Sequence, residues 1–202
     1  MTTRQLLSVA ITLPATVADD AAVTIAAMAG RLGFSAVHLA VAPAADLLDR
    51  LSNAAAPALV VIDMPGDAPG IVRVNDPAEV CAARADIEAA GDGRPLLVVI
   101  PISIGRTMNE AIARADLEPR FAGDRHPRCV GIFGTFEQAQ DQVLALARAG
   151  ADGLVLDVPL GRDVADVLAQ IRALVVGATP ELVNRRPGAS QSVPPQTVFY
   201  DR

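Results

Sequence analysis

Short runs of Val, Ile, Leu and Ala alternate along the chain with longer stretches whose apolar residues recur every three to four positions. That is the pattern of repeated βα units. Leu6–Thr12 predicts a first strand, and Ile25, Met28, Ala29 and Leu32 mark one face of a helix that Gly33 ends. Strand is predicted again at Ala36–Val41, helix at Ala44–Ala55 and strand at Ala58–Met64. Pro65–Gly70 reads as a turn-rich connection to a short extended run, Ile71–Val74. The pattern then gives helix over Pro77–Ala90, a buried strand over Leu96–Ile104, helix over Met108–Leu117 and strand over Cys129–Phe133. Phe136, Ala139, Val143 and Leu146 stripe the next helix, Leu154–Val158 is the last strand, and Val164, Val167, Leu168, Ile171 and Leu174 form the last apolar stripe.

Helix starts are marked by a capping residue with an acid or amide three positions on: Asp76 with Glu79, Thr107 with Glu110, and Thr135 with Gln138. Pro77 takes the first helical position of its helix. Past Gly177 the composition turns to Pro, Ser, Gln and Arg, which predicts one domain over residues 1–177 and a Pro-rich tail over 178–202 that adds nothing to the core.

Composition narrows the class. The 202 residues are 51% hydrophobic and 20% charged, enough for one substantial core. Aromatics are 3% and Trp is absent, so Ala, Val, Leu and Ile build the core, as suits helices on buried parallel strands. A net charge of -6 argues against nucleic acid and anionic membrane as partners. Every basic residue is Arg, and without Lys no Schiff-base or Lys-general-base mechanism is available. The N-terminal apolar run is too short and wrongly flanked for a signal peptide, and no span of membrane length is visible, so a cytoplasmic location is expected. Cys81 and Cys129 are expected to be buried thiols, with no disulfide and no metal site.

The main candidates for chemistry lie where a strand meets a Gly and then a helix-capping Thr: Gly105-Arg106-Thr107 and Gly134-Thr135. Amides at a helix N-terminus, a Gly that admits close approach and a nearby Arg suit a phosphate. The competing reading of both junctions is a plain turn and cap. His38 is placed to bind or protonate a ligand at a barrel mouth, or to be a hydrogen-bonded strand residue, and Asp63 to line the same mouth or form the turn before Pro65-Gly66. His126 sits in a polar loop. No nucleophile elbow, Cys–His pair, metal-ligand cluster or dinucleotide fingerprint is present, so any redox chemistry must come from a bound cofactor.

Four stretches carry a resemblance: Leu32-Gly33-Phe34-Ser35-Ala36-Val37-His38; Asn75 to Gly91 followed by Arg94 to Thr107; Gly134-Thr135-Phe136-Glu137-Gln138-Ala139 through Leu146 to Gly150-Ala151-Asp152-Gly153-Leu154; and Pro180-Glu181-Leu182-Val183-Asn184-Arg185-Arg186. They resemble the bacterial-luciferase-like monooxygenase family, whose full members are (β/α)₈ barrels. The chain passes from Asp63 to Asn75 where that family has middle strands and an insertion, which implies a shortened TIM-like barrel of about six to seven mostly parallel strands. The resemblance further implies FMN or a deazaflavin at the C-terminal mouth, a small organic substrate and a separate flavin reductase. It assigns the cofactor phosphate to Gly134 and Thr135 and a mouth position to His38, the catalytic candidate; Gly105, Arg106 and Asp63 are further cofactor-binding candidates from the reading of the residues themselves. Phe136 stands where the family has Pro.

Three functions follow: a flavin- or deazaflavin-dependent oxidoreductase; a degenerate barrel that acts as a flavin carrier, or without cofactor as the structural partner of a full-length relative; or a phosphate-ligand-binding α/β enzyme of another barrel family, such as an aldolase or isomerase. A shortened barrel leaves strand edges, so a homodimer or a complex with a related subunit is expected.

Overall fold

Extended backbone begins at β1 (Ser8–Leu13), whose alternate residues divide between two faces. The computed structural model describes residues 7–62, 71–72, 76–121, 127–161 and 163–184. Asp63, the Pro65–Gly70 turn, His126 and the segment from Arg185 on lie outside them. The order continues α1 (Asp19–Leu32), β2 (Ala36–Leu39), α2 (Ala45–Ala55), β3 (Leu59–Ile62), β4 (Ile71–Val72), α3 (Pro77–Ala89) and β5 (Leu97–Gly105). It closes with α4 (Met108–Asp116), a 3₁₀ turn (Pro119–Phe121), α5 (Pro127–Val130), β6 (Ile132–Thr135), α6 (Phe136–Arg148), β7 (Gly153–Asp157) and α7 (Val164–Asn184).

All the strand pairings are parallel, and the strands run β3-β2-β1-β7-β5-β4. β5 is shared along its length: Leu97–Pro101 pair with β7, and Ile102–Gly105 pair with β6. This is an α/β fold of the shortened (β/α)₈ type that the sequence predicts, with seven strands among the described residues.

Two faces of the sheet have different covers. Val9, Ile11, Leu13, Val37, Leu39, Val98, Ile100, Leu154 and Leu156 join the main core with residues of α1, α2, α6 and α7. The intervening residues Ala10, Ala36, Val99 and Val155 form a second cluster with Val61 and Leu97, strand on strand, as in a barrel interior.

Three elements differ from the sequence pattern. Cys129 lies in the one-turn α5, which begins at Pro127, a residue suited to a first helical position; the strand starts only at Ile132. Helical backbone continues past Gly177 to Asn184, because Ala178, Glu181 and Leu182 are good helix formers, although Pro180 removes one backbone donor. Both cysteines are exposed rather than buried: α3 buries little besides Val80, which leaves Cys81 on its outer side, and α5 is a surface turn.

Candidate functional site

At the C-terminal ends of the strands, register builds a polar row on the barrel-interior face. Thr12 aligns with His38, and His38 with Val61; Pro101 aligns with Asp157, one residue beyond the Ile11–Leu156 pair. Thr12 and His38 follow Ala10 and Ala36 by two positions, and Asp157 follows Val155, so all three point to the inner cluster's side. His38 is buried, with 4% exposure, and Asp157 is half-buried. The Thr12 hydroxyl is buried and has no hydrogen-bond partner among the described residues. An unpaired buried hydroxyl costs about 1–3 kcal/mol, so a hydrogen bond to this atom would be stabilising.

The Gly-Thr junctions are neighbours, since Ile104 aligns with Gly134 and Gly105 with Thr135. Each is built as a helix start. Thr135 N–H donates to Gln138 Oε1 at 2.9 Å, and Gln138 N–H donates to Thr135 Oγ1 at 3.5 Å, a complete capping box. Gly134 has φ of 129°, and a Cβ there would overlap the Gln138 carboxamide. A side chain at position 134 would therefore meet Gln138, which lies over this turn. A Cβ on Gly105 would lie 2.5 Å from the Ala111 amide nitrogen, so this glycine lets α4 fold back on β5. Arg106 is 86% exposed; its amide donates to Glu110 Oε2 at 3.0 Å and its guanidinium pairs with the same carboxylate at 3.3 Å. These contacts hold Glu110 below its ordinary pKa, led by the Arg106 amide hydrogen bond against burial, with help from Arg114. Neither junction is aligned with His38, which lies across β1, β7 and β5 from them.

Two arginines absent from the sequence reading brace the mouth. Arg114 is largely buried; it donates to Asp163 at 2.7 Å, to Gln170 at 3.2 Å and to the Ile104 carbonyl, and pairs with Glu110 at 2.9 Å. Arg120 donates to Glu118 at 2.8 Å and to the Val158 carbonyl, with its guanidinium 5.8 Å above the Phe121 ring. Glu118 also accepts from the Leu160 amide at 2.9 Å. Burial pushes the Glu118 carboxyl up, but the Arg120 and Leu160 hydrogen bonds outweigh it and hold the group below its ordinary value. Both networks fasten the segment that follows Asp157. A groove of about 470 Å³ lies between them, lined by Ala113, Leu117 and Pro159 among charged neighbours.

At the opposite end of the strands, Arg84 donates to the Gly150 carbonyl at 2.6 Å and pairs with Asp152, which accepts from the Leu96 amide at 2.7 Å. No group of three or more His, Cys, Asp or Glu is placed to hold a metal among the described residues. No helix among them is long and apolar enough to cross a membrane.

No protein-family model matches the sequence, and no curated protein matches it. Solved structures do. A coenzyme F420 dependent tetrahydromethanopterin reductase from Methanopyrus kandleri superposes with a TM-score of 0.61 at 11% identity, over 86% of this chain and 99% of that one. The protein designated apo-MsnO8 superposes with a TM-score of 0.56 at 13% identity, over 85% of this chain and 98% of that one. The chain shares its fold with these two structures. In (β/α)₈ barrels active sites lie at the C-terminal end of the strands, and the opposite end serves stability. Thr12, His38 and Asp157 occupy the first, and the Arg84–Asp152 clasp the second. Thr12 and Asp157 were detectable only as strand-end polar residues; nothing in the sequence fixes the register that puts them beside His38.

Proposed function

We propose that this chain is a luciferase-type oxidoreductase that holds a deazaflavin or FMN at the C-terminal end of the barrel and acts on a small organic substrate there. The observation that carries the reading is the buried, unpartnered Thr12 hydroxyl beside His38, at the functional end of a luciferase-like barrel. A deazaflavin is the first choice, since the Methanopyrus kandleri reductase is described as coenzyme F420 dependent. When bound, such a ring supplies the hydride or electron transfer for which the chain has no group of its own.

Thr12 would hydrogen-bond the polar edge of the ring, and His38 and Asp157 would orient it or exchange a proton at its rim. The apolar inner layer below, Ala10, Ala36, Val99 and Val155, would keep water from the buried side. A cofactor phosphate is not assigned to Gly134 and Thr135, because Gln138 lies over that turn.

Titrating FMN and coenzyme F420 by fluorescence against wild type and Thr12→Val tests the reading. The valine variant is expected to bind about three- to tenfold more weakly, from the loss of one hydrogen bond, with a melting temperature equal to wild type or higher. A second reading, the degenerate scaffold, is favoured by the position of Gln138 over the Gly134 turn. It prevails if wild type binds neither cofactor at millimolar concentration.

A further inference from the structure

We infer that α6 takes the place of a missing neighbour strand: Gln138 and Gln142 seal the free edge of β6 within the chain, so that this edge is closed to pairing with another subunit. Among the described residues β6 has one strand partner, β5. A strand with one partner leaves alternate N–H and C=O groups pointing outward, an invitation to another strand. Here those groups are taken. The Phe133 amide donates to Gln142 Oε1 at 3.1 Å, and the Phe133 carbonyl accepts from Gln142 Nε2 at 2.9 Å. One carboxamide thus makes both bonds that a residue of a neighbouring strand would make. Two residues along, the Thr135 amide donates to Gln138 Oε1 at 2.9 Å.

The spacing explains why a helix can do this. Positions 138 and 142 stand one turn apart on α6, on the same face, while residues 133 and 135 repeat on the same edge of β6. Gln142 Nε2 also donates to the Gln138 carbonyl at 3.0 Å, which fixes its amide with the nitrogen toward Phe133 O. Glutamine suits the task because it carries donor and acceptor together; neither Glu nor Leu does.

The sealed edge sets which surface of a shortened barrel remains open to a second copy. β3 ends the strand path on the other side, and Leu59 on it is 68% exposed. Assembly by strand pairing is therefore directed away from β6.

The test uses the full chain and three variants, Gln142→Leu, Gln142→Glu and Asp141→Leu, with native-state hydrogen exchange read at Phe133 and mass read by light scattering over a concentration series. Gln142→Leu is expected to speed exchange at Phe133 by about three- to tenfold, the loss of one hydrogen bond, and to raise the average mass as concentration rises. Gln142→Glu keeps an acceptor for the Phe133 amide, so exchange there stays near wild type even if the leucine variant fails to fold. Asp141→Leu adds the same apolar surface to an exposed position beside it and is expected to change neither reading. Unchanged Phe133 exchange and unchanged mass in Gln142→Leu, or fast exchange at Phe133 in wild type, would overturn the inference.

Discussion

Replacing Glu118 by Gln removes a charge from the 3₁₀-turn network while preserving its volume, and the structure sets the size of the effect. The carboxylate is 8% exposed and uses both oxygens: one accepts from Arg120 Nε at 2.8 Å, the other from the Leu160 amide at 2.9 Å. Glutamine offers one acceptor, and its NH₂ must then face a donor. One bond to a charged group is lost and one donor is left unpaired, worth about 1.5–3 kcal/mol. Arg120 is about a quarter exposed and water recovers part of this, so the expected loss is about 2 kcal/mol. For a chain of this length that lowers the melting temperature by about 4–8 °C at pH 7. The sign with pH follows from the depressed folded pKa. Between the folded and unfolded values the unfolded state binds more protons, so stability rises with pH. Wild type holds the full contribution above the unfolded value of about 4.3 and loses it as pH falls through the lower folded value. Calorimetry of both proteins from pH 7 to pH 3.5 should show the gap close on acidification. A gap under 1 °C at pH 7, or one that persists unchanged in acid, refutes the reasoning.

Other perturbations separate the two ends of the barrel. Gly134→Ala places a side chain at φ of 129° and against Gln138, so it should cost about 3 kcal/mol in denaturant unfolding. Arg84→Ala opens the clasp to Gly150 and Asp152 at the far end; a loss of about 2 kcal/mol is expected in the same assay, with cofactor affinity by fluorescence titration unchanged. Cys81 and Cys129 should both react with a thiol reagent in the native protein, and labelling of fewer than two thiols per chain without denaturant would contradict their exposure.

Local features were legible in the sequence, and relations across the sheet were not. The caps are carried by neighbouring residues, so spacing alone exposes them. Asp76 accepts from the Ala78 amide, Thr107 from Glu110, and Thr135 completes its box with Gln138. Even there the side chains diverge from the simple rule: Glu110 reaches back to the Arg106 amide, one residue before the cap. The same capping box that made Gly134-Thr135 a candidate phosphate seat is what lays Gln138 over it. His38 was found because histidines are few, whereas Thr12 and Asp157 join it only through the β2-β1-β7-β5 order. Gln142 carries no local signal at all, since its bonds to Phe133 link residues nine apart across a strand and a helix. The exposure of the cysteines was misjudged for a related reason: an apolar neighbourhood in sequence does not say which side of a helix faces out.

The two ends of the barrel satisfy their polar groups unequally, and this bears on whether the chain is an enzyme or a scaffold. At the N-terminal end Asp152 accepts from Leu96 and Arg84, and Arg84 in turn holds Gly150. That is how a surface built for stability is expected to look. At the C-terminal end Arg114, Glu118 and Arg120 are equally well served, and so are the edge groups of β6 through Gln138 and Gln142. Among the described residues Thr12 is the exception among buried side-chain polar atoms, and it lies on the inner face beside His38. A barrel retained only as packing would be more stable with valine there, because the isosteric change removes an unpaired hydroxyl at no loss of volume. The cost falls at the end of the strands where (β/α)₈ barrels carry their active sites. If Thr12→Val stabilises the protein and leaves all ligand binding untouched, that argument fails and the scaffold reading stands.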